Sequence, residues 1–202
     1  YKRQVDTGTR ADHKRALCDE DMKKVFTRLP SSSAIPLAVR RAQDMFVLMF
    51  LLRGLPFVDL AYLRKSDLRD NVITYRRRKT GRPLSVTLTP EALELLKKYM
   101  NRDSHSPYLF SLLKSGEGTK EAYREYQLAL RSFNQQLTLL GEVLGLNDKL
   151  SSYTARHTWA TTAYYCEIHP GIISEAMGHS SIKVTETYLK PFRNKKIDEA
   201  NN

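Results

Sequence analysis

Apolar side chains recur at helical spacing along most of the chain. Met22, Val25, Phe26 and Leu29 mark a first helix, opened by Cys18, Asp19, Glu20 and Asp21, whose acids suit the positive end of a helix dipole. Pro30 and Ser31 to Ser33 end it. Ala38, Ala42, Met45, Phe46, Met49 and Leu52 mark a longer helix over 37–52. It becomes apolar on most sides, which predicts a central place in the core. Gly54 and Pro56 break it, and Val58 to Leu63 reads as a short helix followed by a loop over 65–67. The pattern then changes period. Val72-Ile73-Thr74-Tyr75 and Leu84-Ser85-Val86-Thr87-Leu88 are β-prone runs around Thr80-Gly81-Arg82-Pro83, a hairpin. Thr89 and Pro90 open a helix containing Leu93, Leu95, Leu96 and Tyr99. A long helix over 119–144 follows, ended by Gly145. Thr154 caps a helix running to Cys166, and Pro170 begins a short one ending at Met177-Gly178. Ser180 or Ser181 caps a last helix containing Tyr188. The predicted fold is mainly α with a small antiparallel sheet (α+β), in one domain without repeats.

The 202 residues, 41% hydrophobic and 27% charged, can bury one sizeable core. The most apolar run, Met45 to Leu52, is bounded by Asp44 and Arg53 and is too short to span a membrane. Tyr1 to Arg15 is polar and basic, unlike a signal peptide. Residues 1–16 are expected to be a basic linker or N-terminal extension. The net charge of +11 is uneven: residues 1–89 hold 19 Lys and Arg against 9 Asp and Glu, whereas residues 90–202 are nearly balanced. That asymmetry points to a polyanionic partner such as nucleic acid. Cys18 and Cys166 have no metal-ligand spacing and read as reduced thiols of a cytoplasmic protein. The absence of HExxH, CxxC and phosphate-loop patterns argues against a metal enzyme or an NTPase, and no cofactor is expected.

Four side chains at turns and element ends combine usable chemistry. Arg156 falls in the first turn of the helix capped by Thr154, and His179 follows Gly178 at a helix end. Tyr188 comes nine residues after His179, and Lys79 sits in the hairpin turn. Cations, an imidazole and a phenol suit phosphoryl transfer without a metal. Arginine binds phosphate oxygens bidentately and stabilises transition-state charge. A tyrosine hydroxyl can attack phosphorus, and a lysine can protonate the leaving 5′ oxygen. A phenol's pKa of ~10 makes its ester a competent leaving group, so rejoining needs no ATP. Each residue also has a plainer reading. Tyr188 is one of 11 tyrosines and alone would be a core residue; His179 alone would cap a helix; Arg156 alone would form an ion pair. His157 and Trp159 read as packing residues.

The run Ser152-Tyr153-Thr154-Ala155-Arg156-His157-Thr158-Trp159-Ala160, then Met177-Gly178-His179-Ser180, then Thr187-Tyr188, resembles the catalytic domain of the tyrosine recombinases (phage integrases). Leu60 to Asp67 and Lys79-Thr80-Gly81 match earlier motifs of that family, so the resemblance spans about Asp19 to Leu189. It implies a catalytic domain over 17–202, with Tyr188 as nucleophile, Arg156 as second arginine, His179 as third-motif histidine and Lys79 as hairpin lysine. Asp59 matches the acid that supports the first arginine. Two positions depart from the pattern. Tyr153 stands where a histidine is usual, and Pro56 stands where the first arginine is usual. Arg53, about one helical turn earlier, is expected to supply the missing cation. Both departures resemble a branch of the family found in integrases and invertases of bacterial mobile elements. The hairpin arginines Arg76, Arg77, Arg78 and Arg82 are expected to contact the DNA backbone, although a solvated basic turn would also explain them and Lys79.

The resemblance implies double-stranded DNA as partner, a homotetramer on two DNA sites in the full-length protein, and an additional N-terminal DNA-clamping domain absent from this sequence. Accessory DNA-bending proteins are possible, and this chain alone is expected to be monomeric. Two other functions fit the same residues: a type IB topoisomerase, which shares the phosphotyrosine chemistry, and a DNA-binding module that has lost catalysis.

Overall fold

A computed structural model describes residues 16–27, 29 and 35–189, and the statements below concern those residues. The expected lead-in over 1–16 lies outside them except for Ala16, which is buried.

Eight helices and one three-stranded sheet form the described fold. Their order is α1 (Asp19–Phe26), α2 (Leu37–Leu51), α3 (Phe57–Tyr62), a 3₁₀ turn (Lys65–Asp67), β1 (Leu68–Arg69), β2 (Val72–Arg76), β3 (Pro83–Thr87), α4 (Pro90–Tyr99), α5 (Lys120–Leu144), α6 (Ser152–Tyr165), α7 (Pro170–Ala176) and α8 (Ile182–Glu186). Helix α2 is central because its second half, Met45 to Leu51, is apolar on every side. It buries Val39, Ala42, Met45, Phe46, Leu48 and Met49 and packs against α1, α4, α5 and α6. Its one buried amide, Gln43, donates from Nε2 to the carbonyls of Val25 and Thr27 at 2.8 and 2.9 Å, which ties down the end of α1. Phe57 of α3 stacks on Phe133 of α5 with ring centres 4.7 Å apart, fixing the short helix that carries Asp59.

The sheet is antiparallel in the order β1-β2-β3. Ile73 faces Val86 and Tyr75 faces Leu84 across the expected hairpin. Strand β1 adds two residues the period did not predict. Asp70 and Asn71, at φ 48° and 61°, make the tight left-handed turn that lets Leu68 and Arg69 pair with Ile73 and Val72.

Two end assignments need correction. Ser151, not Thr154, is the N-cap of α6; Thr154 sits at the third helical position and accepts the Ser151 N–H at 3.1 Å. Hydroxyls stand at both ends of this capping box, so the sequence offers two equivalent starts. Arg156 therefore lies in the second turn. Helix α8 stops at Glu186, and Tyr188 lies in the turn after it, its N–H donating to the Thr185 carbonyl at 2.9 Å.

A second, smaller apolar cluster joins Ala160, Ile173, Met177 and Leu189, with Trp159, Tyr164 and Tyr188 packed against it. The main core anchors α3, the hairpin and the start of α6, and the smaller one anchors the chain around His179 and Tyr188. Among the described residues, no helix is long and apolar enough to cross a membrane.

Candidate active site

The cleft between these two clusters brings together Lys79, Tyr153, Arg156, His179 and Tyr188, and also Arg77. Its base is built from α6. Arg156 is 2% exposed and donates to three groups: the Gly54 carbonyl at 2.9 Å, the Met177 carbonyl at 2.7 Å and His179 Nε2 at 2.8 Å. Gly54 is needed there on two counts. Its φ is 66°, and a Cβ would meet the Arg156 Cα at 2.8 Å. Burial lowers the Arg156 pKa, and the nearby Arg77 charge lowers it further. Arginine starts so high that it stays charged.

His179 is held from both sides, with Nδ1 lying 2.8 Å from the buried Thr185 hydroxyl. Burial pushes its pKa down to about 3, and the charges of Arg156, Arg77 and Lys79 act in the same direction. It is therefore a neutral imidazole near pH 7. Tyr188 stacks on it with ring centres 5.0 Å apart and lies tilted against His157 at 4.4 Å, while Arg156 Cζ lies 5.9 Å from the Tyr188 ring centre. The chain's own Tyr188 thus sits in the chain's own cleft. Tyr153 is 49% exposed and stands at the rim, where its hydroxyl can donate to a ligand.

The hairpin supplies the opposite wall. Ile73 and Tyr75 are buried, and the alternation continues past the end of β2, because the Arg77 N–H still donates to the Arg82 carbonyl at 2.8 Å. Arg77 consequently points inward. It is 5% exposed and pairs with the fully buried carboxylate of Asp59, whose other oxygen accepts the Arg78 N–H at 3.0 Å. Lys79, in the turn that follows, is exposed and lines the same cleft. Thr80 Oγ1 donates to the Gly178 carbonyl at 3.2 Å and pins the lysine turn to the His179 loop.

Two expected placements are corrected. Arg53 is not among the cleft residues. It adopts a left-handed φ of 59°, donates to the Ser85 carbonyl at 3.2 Å and lines a separate groove with Arg82 and Glu175. The helix does not continue through it, so the one-turn spacing to Pro56 does not place it over Asp59. Arg77, expected at the DNA backbone with its neighbours, is instead the buried partner of Asp59. Arg76 and Arg82 are exposed. Arg78 leans over the Tyr62 ring at 3.7 Å and pairs with Glu117. Among the described residues, no group of three or more His, Cys, Asp or Glu side chains is placed to hold a metal ion.

Residues 17–195 match the phage integrase family. The chain belongs to that family. The tyrosine recombinase XerA of Pyrococcus furiosus is 26% identical over 180 residues, covering 87% of this chain and 57% of XerA. The chain thus spans little more than half of that relative. A crystal structure of XerA recombinase superposes with a TM-score of 0.63 at 20% identity, covering 92% of this chain and 63% of that one. The Tn1549 transposon integrase in complex with transposon right end DNA superposes with a TM-score of 0.62 at 14% identity, covering 92% and 64%. These likenesses establish the tyrosine recombinase catalytic-domain fold.

Within this integrase domain, sequence reasoning missed Thr185, which fixes the His179 ring, and the inward turn of Arg77. Thr185 gave no signal of its own. Arg77 did: it continues the two-residue period of Ile73 and Tyr75.

Proposed function

We propose that this chain is the catalytic domain of a site-specific DNA recombinase that cuts and rejoins double-stranded DNA through a 3′-phosphotyrosine at Tyr188. The observation that carries the reading is the convergence of Tyr188, Lys79, Arg156 and His179 on one cleft. Arg156 binds the non-bridging oxygens of the scissile phosphate. Neutral His179 holds the Arg156 guanidinium in place and packs against the Tyr188 ring. Tyr188 Oη attacks phosphorus and gives up its proton to solvent; the Oη–P bond forms as the bond to the 5′ oxygen breaks. The Lys79 ammonium protonates that leaving oxygen. Reversal with a different 5′ hydroxyl rejoins the strands.

The integrase solved on transposon end DNA supports the DNA partner and a role on a mobile element. In the full-length protein, a homotetramer on two sites would carry out the exchange. The test is a nicked suicide duplex, selected from a randomised pool by covalent capture on the wild-type protein. Wild type should form a protein–DNA adduct in EDTA, and Tyr188→Phe should bind the duplex without forming one. An adduct that persists in Tyr188→Phe contradicts the reading.

A further inference from the structure

We propose that Arg77 is a catalytic arginine, the second guanidinium that binds the scissile phosphate, delivered by the hairpin where the family's arginine position before Asp59 is Pro56. The inference deepens the phosphotyrosine reading and rests on it.

Four observations point the same way. The first is placement. Pro56 and Arg77 line the same cleft as Arg156 and Tyr188, so the guanidinium arrives from the hairpin at a wall where Pro56 and, from the first turn of α3, Val58 offer only apolar side chains. The second is anchoring. Asp59, the acid expected to support the first arginine, accepts from Arg77 Nη1, and nothing else charged touches that carboxylate among the described ion pairs. A guanidinium has five N–H donors. The bond to Asp59 uses one, and Arg77 Nε is buried with no hydrogen-bond partner among the described residues. A buried, unpartnered donor is costly until a ligand satisfies it.

The third is charge. Arg77 and Arg156 are both buried, yet Asp59 is the one carboxylate paired with either of them among the described residues. With Lys79 at the mouth and His179 neutral, the site carries two uncompensated positive charges. A phosphodiester under attack by a phenolate develops two negative charges. The match is to the transition state rather than to any protein group, which is how electrostatic catalysis is arranged. Arg77 depresses the pKa values of both Arg156 and His179, in agreement with guanidinium groups held close together.

The fourth is shape. Gly178 has a φ of 65°, and a Cβ there would meet Arg77 Cγ at 2.9 Å. The Met177-Gly178-His179 turn is therefore built around the stem of Arg77, so the loop that presents His179 and the side chain that reaches the phosphate fix each other.

The experiment uses the captured duplex in two forms, one with a normal scissile phosphate and one with a methylphosphonate, in which a neutral methyl group replaces a charged oxygen. Arg77→Ala and Arg77→Lys are compared with Arg53→Ala at equal DNA occupancy, with folding checked by thermal unfolding. On the normal phosphate, Arg77→Ala should lose roughly a hundredfold to a thousandfold in adduct formation. Arg77→Lys keeps a cation and the pair with Asp59 but cannot make a bidentate contact, so it should also lose activity. Arg53→Ala should cleave like wild type. On the methylphosphonate, which has one charge less to neutralise, the Arg77→Ala loss should shrink to within about tenfold of wild type. An equal loss on both substrates would make Arg77 only a structural partner of Asp59 and overturn the proposal, as would full activity in Arg77→Ala. Wild type failing to form an adduct at Tyr188 would instead remove the phosphotyrosine reading on which it rests.

Discussion

Arg156 Nη2 lies 2.8 Å from His179 Nε2, and the other ring nitrogen of His179 lies 2.8 Å from Thr185 Oγ1. An arginine can only donate. Nε2 is therefore the acceptor, and the proton of the neutral ring sits on Nδ1, directed at Thr185. One histidine thus orients the buried arginine beside the Tyr188 ring, and it can do so only while uncharged.

That relationship sets a pH dependence. The His179 pKa is about 3 in the folded chain against about 6.5 in an unfolded one. The unfolded chain takes up the proton first, so this contribution to stability is complete above about pH 6.5 and is lost as pH falls toward 3. Between pH 6.5 and 5, ordinary carboxylates remain ionised. Wild type should lose about 1–2 kcal/mol of unfolding free energy over that window. His179→Gln should lose much less. Parallel denaturation curves for the two proteins across the window would contradict the buried neutral imidazole.

Three glycines with positive φ separate backbone strain from close approach. Gly81 has a φ of 70°, and a Cβ added there would have nothing within 4 Å, so Gly81→Ala should cost about 1 kcal/mol. At Gly54 the added atom meets backbone that cannot move, and Gly54→Ala should cost about 3 kcal/mol or more. Gly178→Ala should fall between, because the Arg77 stem can shift, but it should also abolish cleavage. Thermal unfolding of the three variants gives the ranking.

The exposed hairpin arginines should govern salt dependence. Each phosphate contact adds about −0.9 to the slope of log K against log salt. Replacing Arg76 and Arg82 should flatten the slope by up to about 2. Replacing Arg78, already paired with Glu117, should change it less. Binding titrations over a range of salt measure both; an unchanged slope in the Arg76 and Arg82 variant would place those side chains away from DNA.

Lys79 should show the signature of a proton donor. Lys79→Ala should slow cleavage of a normal duplex strongly, yet barely slow a duplex with sulfur at the 5′-bridging position, because a thiolate leaves without protonation. Equal slowing on both would rule out the general-acid role.

Much of this fold can be read from local chemistry. Thr89 and Thr119 cap α4 and α5, and Gly145 ends α5 in a left-handed turn; each signal lies within a few residues of its effect. Lys79, Arg156, His179 and Tyr188 are readable for a different reason: their combined spacing matches a family. The arginine proposed in place of the one missing at Pro56 is not, because its position is set by tertiary geometry. Counting back one helical turn from Pro56 assumes that α2 continues, whereas Arg53 and Gly54 both turn left-handed and swing Arg53 onto β3. The strand period places Arg77 inward, but four neighbouring cations make a solvated turn the obvious reading. Only the buried carboxylate of Asp59 distinguishes one arginine from the rest.

The most direct measurement is to map the covalent bond itself. Wild-type protein is trapped on the nicked suicide duplex and digested, and the DNA-linked peptide is sequenced by mass spectrometry. The account predicts one modified residue, Tyr188, carrying the 3′ phosphate of the cut strand, with a free 5′ hydroxyl on the released fragment. A bond to any other residue, or a 5′ phosphate on the protein, would contradict it.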